Sequence, residues 1–133
     1  MEYINKIDAS EILPGAVDYV QAIRSRGIKT AIGSASKNAR LILDRLGVHA
    51  LFDVVVDGNK VKKAQPDPEV FLLAAKEMHL PPSSCVVFED AEAGIQAALA
   101  AGMGAIGIGN PADLLQADIV VRGLWQLMRL LQM

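Results

Sequence analysis

Two adjacent acidic residues, Glu89 and Asp90, directly follow a short apolar run in this sequence. The run and the helix-compatible segment after it are typical of a buried parallel strand that ends at a polar site. Two like charges side by side repel unless a cation or a proton separates them, and carboxylate oxygens suit Mg²⁺, so the pair indicates a metal site. The same pair is compatible with solvated loop residues, or with carboxylates that complement the dipole of the next helix.

A second group of polar residues follows another β-leaning run and precedes a helical pattern. It consists of Ser34, Ala35, Ser36, Lys37 and Asn38. Hydroxyl groups, backbone N–H groups at a helix start and one lysine together can hold a phosphate. The alternative is a serine that caps the helix beside a solvated lysine. A phosphate site at one strand end and a metal site at another would together suggest phosphoryl transfer.

Strand patterns and amphipathic helical patterns alternate along the whole chain with short loops between them. We predict strands at 28–34, 52–57, 85–88, 104–109 and 118–121, helices at 14–26, 37–46, 68–79, 91–101 and 124–132, and a short helical turn at 111–116. This order predicts an α/β fold with a mainly parallel sheet, in which ligands bind beyond the carboxyl ends of the strands. Besides the two polar groups, Gly109 and Asn110 occupy such an end.

Length and composition exclude several classes of protein. A chain of 133 residues fits one domain, which we place at 1–133. Its formal charge of −2 gives no electrostatic reason to expect nucleic-acid binding, and no apolar run approaches the roughly 20 residues of a membrane-spanning helix. Cys85 is the single cysteine, so no disulfide can form within the chain and a reducing, cytoplasmic location is favoured. Because Cys85 opens an apolar run, we interpret its side chain as a small buried hydrophobic group and not as a nucleophile.

Four motifs, in order, make the sequence resemble the haloacid dehalogenase-like phosphotransferases, and within them the β-phosphoglucomutase subgroup. The motifs are S-A-S-K-N after a strand, Q-P-D-P-E-V-F, V-V-F-E-D-A-E-A-G-I-Q-A-A and A-G-M-G-A-I-G-I-G. The resemblance covers almost the entire chain from Ile4 onward. It implies a three-layer Rossmann-like core and a Mg²⁺-dependent phosphoryl transfer on a small sugar phosphate, through an aspartyl-phosphate formed on a D-x-D motif.

The resemblance also assigns roles to the two polar groups. Ser34 matches the residue that hydrogen-bonds the transferring phosphoryl group. Ser36, Lys37 and Asn38 match residues that hold the other end of the sugar phosphate. Glu89 and Asp90 match the acidic pair that completes the metal site. The implied reaction interconverts β-glucose 1-phosphate and glucose 6-phosphate, and the alternative is hydrolysis by a related sugar-phosphate phosphatase.

One departure from the family is the missing D-x-D motif, which occurs nowhere upstream. The chain looks like a C-terminal fragment, in which residues 1–12 are a remnant of the cap domain, so we expect it to be inactive alone and to bind Mg²⁺ weakly. The absent strand would lie between the strands at 28–34 and 85–88. Those strands would then close up on each other, or a second polypeptide or a dimer would fill the gap.

A second departure is Gln65, which stands where the family has a lysine before the P-x-P turn. Glutamine can still donate a hydrogen bond but carries no charge, so phosphate stabilisation should be weaker. Lys63 lies two residues upstream and is a conceivable substitute, although a solvated basic turn at Lys62 and Lys63 is the simpler interpretation.

Overall fold

The computed structural model describes residues 16–34 and 37–123, and within them it is an α/β fold. The helices are α1 (Ala16–Ser25), α2 (Ala39–Leu46), α3 (Glu69–Glu77) and α4 (Glu92–Ala100). The strands are β1 (Ala31–Gly33), β2 (Val54–Val56), β3 (Val86–Glu89), β4 (Gly104–Ile108) and β5 (Ile119–Val121). The predicted elements are confirmed in type and order. The predicted helix 124–132 and the remnant 1–12 lie outside the described residues.

The strands form two parallel sheets, not the single sheet that we expected. One sheet has the order β1-β2 and the other the order β3-β4-β5. Within the described residues, β1 and β3 do not pair and no strand lies between them. The expectation that these two strands could close up on each other is therefore wrong for this structure.

Helices on both faces of the strands hold the two sheets together. The largest core cluster contains Val56 of β2, Val87 of β3, and buried residues of α3 and α4, so these two helices pack across both sheets. On the opposite face, Leu43 of α2 packs with Ile32 and Val55. Tyr19 of α1 packs against Phe88 at a ring-centroid distance of 5.7 Å. This layering agrees with the three-layer core that the resemblance implied.

Local sequence signals explain where two of the helices begin and end. Gly47 ends α2 in the left-handed conformation at φ 71°, and its N–H donates to the carbonyl oxygens of Leu43 and Asp44. At the start of α3, the Asp67 carboxylate accepts a hydrogen bond of 2.9 Å from the Glu69 N–H. Within the described residues, no helix combines the length and apolar character needed to cross a membrane.

A cavity of about 520 Å³, which we call the interstrand cleft, separates the two sheets. Ala31 of β1 and Val86 and Phe88 of β3 line its sides, while Val20 of α1 and Phe71 of α3 also contribute to its wall. An apolar cavity therefore lies between β1 and β3, and the two strands do not pack directly against each other.

Candidate functional site

Glu89 is the last residue of β3 and is completely buried, with 0 % of its surface exposed. Its Oε1 accepts a hydrogen bond of 3.1 Å from the Asp90 N–H. Its Oε2 is also buried and has no hydrogen-bond partner among the described residues. Buried polar atoms in native proteins are rarely left unpaired, so this oxygen is available for a ligand.

Gly94 of α4 makes room for the Glu89 side chain. A Cβ atom at position 94 would lie 2.1 Å from Glu89 Cγ and 2.2 Å from Glu89 Cδ. Because real Cβ contacts are never this short, only glycine lets α4 approach the carboxylate so closely. The position of Glu89 at this strand end therefore depends on a glycine five residues later.

Burial raises the pKa of the Glu89 carboxyl from 4.5 to about 7, and the neighbouring Asp90 carboxyl group acts in the same direction. The adjacent Asp90 side chain is exposed to solvent. The two acidic residues, equivalent in the sequence, thus have different environments.

The donor set fits a hard cation but is incomplete. Glu89 offers an unpaired carboxylate oxygen and Asp90 an exposed carboxylate, which suits Mg²⁺ because this ion keeps several waters and takes few protein ligands. Among the described residues, no group of three or more His, Cys, Asp or Glu side chains is close enough to hold a metal ion. Further ligands would have to be waters, a substrate or residues from elsewhere.

The predicted phosphate group lies between β1 and α2. Ser34 is fully buried, and its N–H donates to the Val56 carbonyl oxygen at 2.9 Å, which extends the pairing of β1 with β2. Lys37 and Asn38 are exposed, and Asn38 occupies the N-cap position of α2 without a side-chain capping bond. Ala35 and Ser36 lie outside the described residues. The capping serine that we considered as an alternative is not Ser34, because Ser34 lies four positions before Asn38, which occupies the N-cap position of α2.

Gln65 is partly buried, and its Oε1 has no hydrogen-bond partner among the described residues. Lys62 and Lys63 are both exposed, as expected for a solvated basic turn. Whether Gln65 and Ser34 act on a phosphate remains a prediction from the sequence.

Sequence reasoning missed two residues near the strand ends. Gly94 is one, and the only sequence signal for it is its spacing from Glu89 in E-D-A-E-A-G. The other is Asp57, a buried carboxylate directly after β2. Its Oδ1 accepts from the Asn59 N–H at 2.9 Å and its Oδ2 lies 3.4 Å from Arg40 Nε, so it stabilises the turn after β2.

Comparison with known proteins matches residues 1–102 to the family model of the haloacid dehalogenase-like hydrolases. The chain belongs to this family. Members similar to it include a β-phosphoglucomutase of Bacillus subtilis, which is 40% identical over 119 residues and matches 90% of this chain and 53% of that protein. The fructose-1-phosphate phosphatase YqaB of Escherichia coli is 45% identical over 103 residues, which are 77% of this chain and 54% of that protein.

Solved structures of the family share this fold. The crystal structure of β-phosphoglucomutase from Clostridium difficile has a TM-score of 0.87 and 39% identity, and the match covers 98% of this chain and 59% of that one. A haloacid dehalogenase family hydrolase from Deinococcus radiodurans, solved with bound phosphate and sodium, has a TM-score of 0.80 and 31% identity. That match covers 90% of this chain and 58% of the hydrolase. This chain therefore spans a little over half the length of the relatives that it matches.

Proposed function

We propose that this chain supplies the phosphate- and metal-binding half of a Mg²⁺-dependent phosphotransferase that acts on sugar phosphates in the cytoplasm. The observation that carries the proposal is the buried Glu89 carboxylate, whose Oε2 has no hydrogen-bond partner among the described residues while Gly94 leaves space for it. A group held in this way in a family of phosphatases and phosphomutases is best explained as a cation ligand.

In this proposal the chain's own residues bind and orient the substrate. Glu89 and Asp90 hold the cation, which when bound neutralises charge on the phosphoryl oxygens. Ser34 hydrogen-bonds the transferring phosphoryl group, while Lys37 and Asn38 sit exposed at the start of α2, where they can contact the rest of the sugar phosphate. Within the proposal, the 133 residues alone are inactive because the nucleophilic aspartate is not among them.

The relatives support two candidate reactions. The relative from Bacillus subtilis and the structural neighbour from Clostridium difficile favour interconversion of β-glucose 1-phosphate and glucose 6-phosphate. The relative from Escherichia coli, with its higher identity over a shorter match, favours hydrolysis of a sugar phosphate such as fructose 1-phosphate. We place the mutase first because its match covers more of the chain.

The proposal is tested by joining to the chain the part of the Bacillus subtilis relative that the match leaves uncovered. The fused protein and the 133-residue chain are assayed with Mg²⁺ for glucose 6-phosphate formation and, separately, for phosphate release from fructose 1-phosphate. We expect activity from the fused protein only. Turnover by the chain alone would show that the nucleophile is not missing. A folded fusion that is inactive in both assays would contradict phosphoryl transfer.

Replacing Gln65 with lysine in the active fusion should raise the rate of phosphoryl transfer. A charge-assisted hydrogen bond to phosphate is stronger than a neutral one by about 1 kcal/mol, so we expect an increase of about fivefold to tenfold in kcat/KM. Ala64→Lys is the matched control, because Ala64 is exposed and the substitution adds the same charge one residue away. An unchanged rate for Gln65→Lys would mean that glutamine at this position supports phosphoryl transfer as well as lysine does.

A further inference from the structure

The end of β2 and the turn after it are bonded to both ends of the segment that runs from Ser34 to Lys37. At its start, the Ser34 N–H donates to the Val56 carbonyl oxygen at 2.9 Å. At its end, the Lys37 carbonyl oxygen accepts a hydrogen bond of 3.1 Å from Nδ2 of the Asn59 side chain. The Asn59 amide therefore ties the turn after β2 to the chain that leads into α2.

The Lys37 carbonyl oxygen lies outside the hydrogen-bond ladder of α2. The ladder begins where the Ile42 N–H donates to the carbonyl oxygen of Asn38, the N-cap residue, at 3.0 Å. A residue before the N-cap is not held by its helix and depends on other contacts for its conformation. Because the Asn38 side chain makes no capping bond, the Asn59 amide is well placed to fix the backbone where α2 begins.

The Asn59 side chain projects from a turn that is built on Asp57. The buried Asp57 carboxylate accepts a hydrogen bond of 2.9 Å from the Asn59 N–H through Oδ1. Its Oδ2 lies 3.4 Å from Nε of Arg40, and Nη2 of Arg40 donates to the Val55 carbonyl oxygen at 3.0 Å. Since Arg40 is in the first turn of α2, this turn is bonded to the chain both before and after the N-cap of α2.

We propose that Asn59 is a positioning residue, which holds the Lys37 backbone so that the side chains of Lys37 and Asn38 meet the end of the sugar phosphate that is not transferred. This inference rests on the proposed function, which assigns that end of the substrate to these two residues. Asn59 is exposed, so its side chain contributes an anchor and little packing. Without the anchor, more backbone conformations would have to be ordered when substrate binds, and ordering them weakens binding.

Hydrogen exchange of the 133-residue chain tests the anchor in the absence of substrate. Asn59→Ala removes the amide without backbone strain, because Asn59 is exposed and does not have a positive φ. Losing one hydrogen bond should speed exchange of the Ile42 N–H about fivefold. The Ile95 N–H, which donates to the Ala91 carbonyl oxygen in the first turn of α4, is the internal control and should exchange at an unchanged rate.

Steady-state kinetics of the fused protein test the consequence for binding. Asn59→Ala should raise KM for the sugar phosphate about fivefold and leave kcat within about twofold, because Asn59 acts through Lys37 and not on the transferring phosphoryl group. Asn59→Asp keeps the shape of the side chain but places an acceptor opposite the Lys37 carbonyl oxygen, so it should raise KM at least as much. Gln21→Ala removes an exposed amide from α1 and should leave both constants unchanged.

The proposal is overturned if exchange at Ile42 is unchanged in Asn59→Ala, or if Ile42 and Ile95 accelerate equally, which would indicate a general loss of stability. It is also overturned if kcat falls while KM stays constant, or if neither Asn59 variant raises KM. Inactivity of the fused protein with Asn59 intact would contradict the proposed reaction instead. Exchange at Ile42 would then decide by itself whether Asn59 anchors the start of α2.

Discussion

Replacing Gly94 with alanine is expected to destabilise the protein by about 1–3 kcal/mol, although alanine is the better helix former by about 1 kcal/mol. The new Cβ would overlap Glu89 Cγ and Cδ, at 2.1 and 2.2 Å. Glu89 is fully buried and ends a strand paired with β4, so its side chain cannot relieve the overlap by turning out into solvent. Urea denaturation of the two proteins measures the difference in the free energy of unfolding.

A double-mutant cycle separates this overlap from other effects of alanine. In a Glu89→Ala background, Gly94→Ala should cost nothing, or stabilise by up to about 1 kcal/mol, because the overlapping atoms are gone. Gly104→Ala is the control for a glycine without such a neighbour, since its nearest contact would be Val86 Cγ2 at an ordinary 3.4 Å. Equal losses for Gly94→Ala in both backgrounds would show that Gly94 does not make room for Glu89.

The stability of the protein should fall as the pH rises from about 4.5 to about 7, and Glu89 is the expected cause. Burial raises the pKa of this carboxyl from 4.5 to about 7, so in this window the folded state holds a proton that the unfolded state has released. The contribution of Glu89 is most favourable below pH 4.5 and is lost as the pH passes through 7. One pKa unit corresponds to about 1.4 kcal/mol, so the loss amounts to about 3 kcal/mol at most.

Glu89→Gln tests the assignment, because glutamine has a similar shape and does not titrate. Denaturation midpoints at a series of pH values should lose most of their slope between pH 4.5 and 7 in this variant. Asp113→Asn serves as the control, since Asp113 is an exposed carboxylate in a 3-10 turn far along the chain. If Glu89→Gln leaves the slope unchanged, another group causes the pH dependence.

Much of the fold can be predicted from the sequence, because burying one face of a helix or strand requires apolar residues at regular spacings. Leu43 and Ile42 mark the buried side of α2 and Gly47 marks its end, and both signals are local. The strands were predicted longer than they are, since residues such as Ile28 and Phe52 are apolar without being paired. The division of the sheet was beyond this kind of reasoning, because which strands pair depends on contacts between distant residues.

The candidate site was predicted less completely than the fold. The sequence identified Glu89 and Asp90 as a pair but gave no reason to treat them differently. The structure separates them, because Glu89 points into the interior beside Gly94 while Asp90 is exposed. The difference in burial between Glu89 and Asp90 arises from the packing of α4 on β3. No local sequence pattern predicts it.

The way α3 and α4 join the two sheets determines how rigidly the width of the cleft is held. The two sides of the cleft are kept together by apolar packing in a cluster that includes Val56, Phe71 and Val87, and not by hydrogen bonds between β1 and β3. Apolar contacts have no preferred direction and adjust through small shifts of side chains, whereas a backbone ladder fixes its spacing. The distance between the two sheets is consequently set by side-chain packing, and it should be less fixed than the spacing of two paired strands.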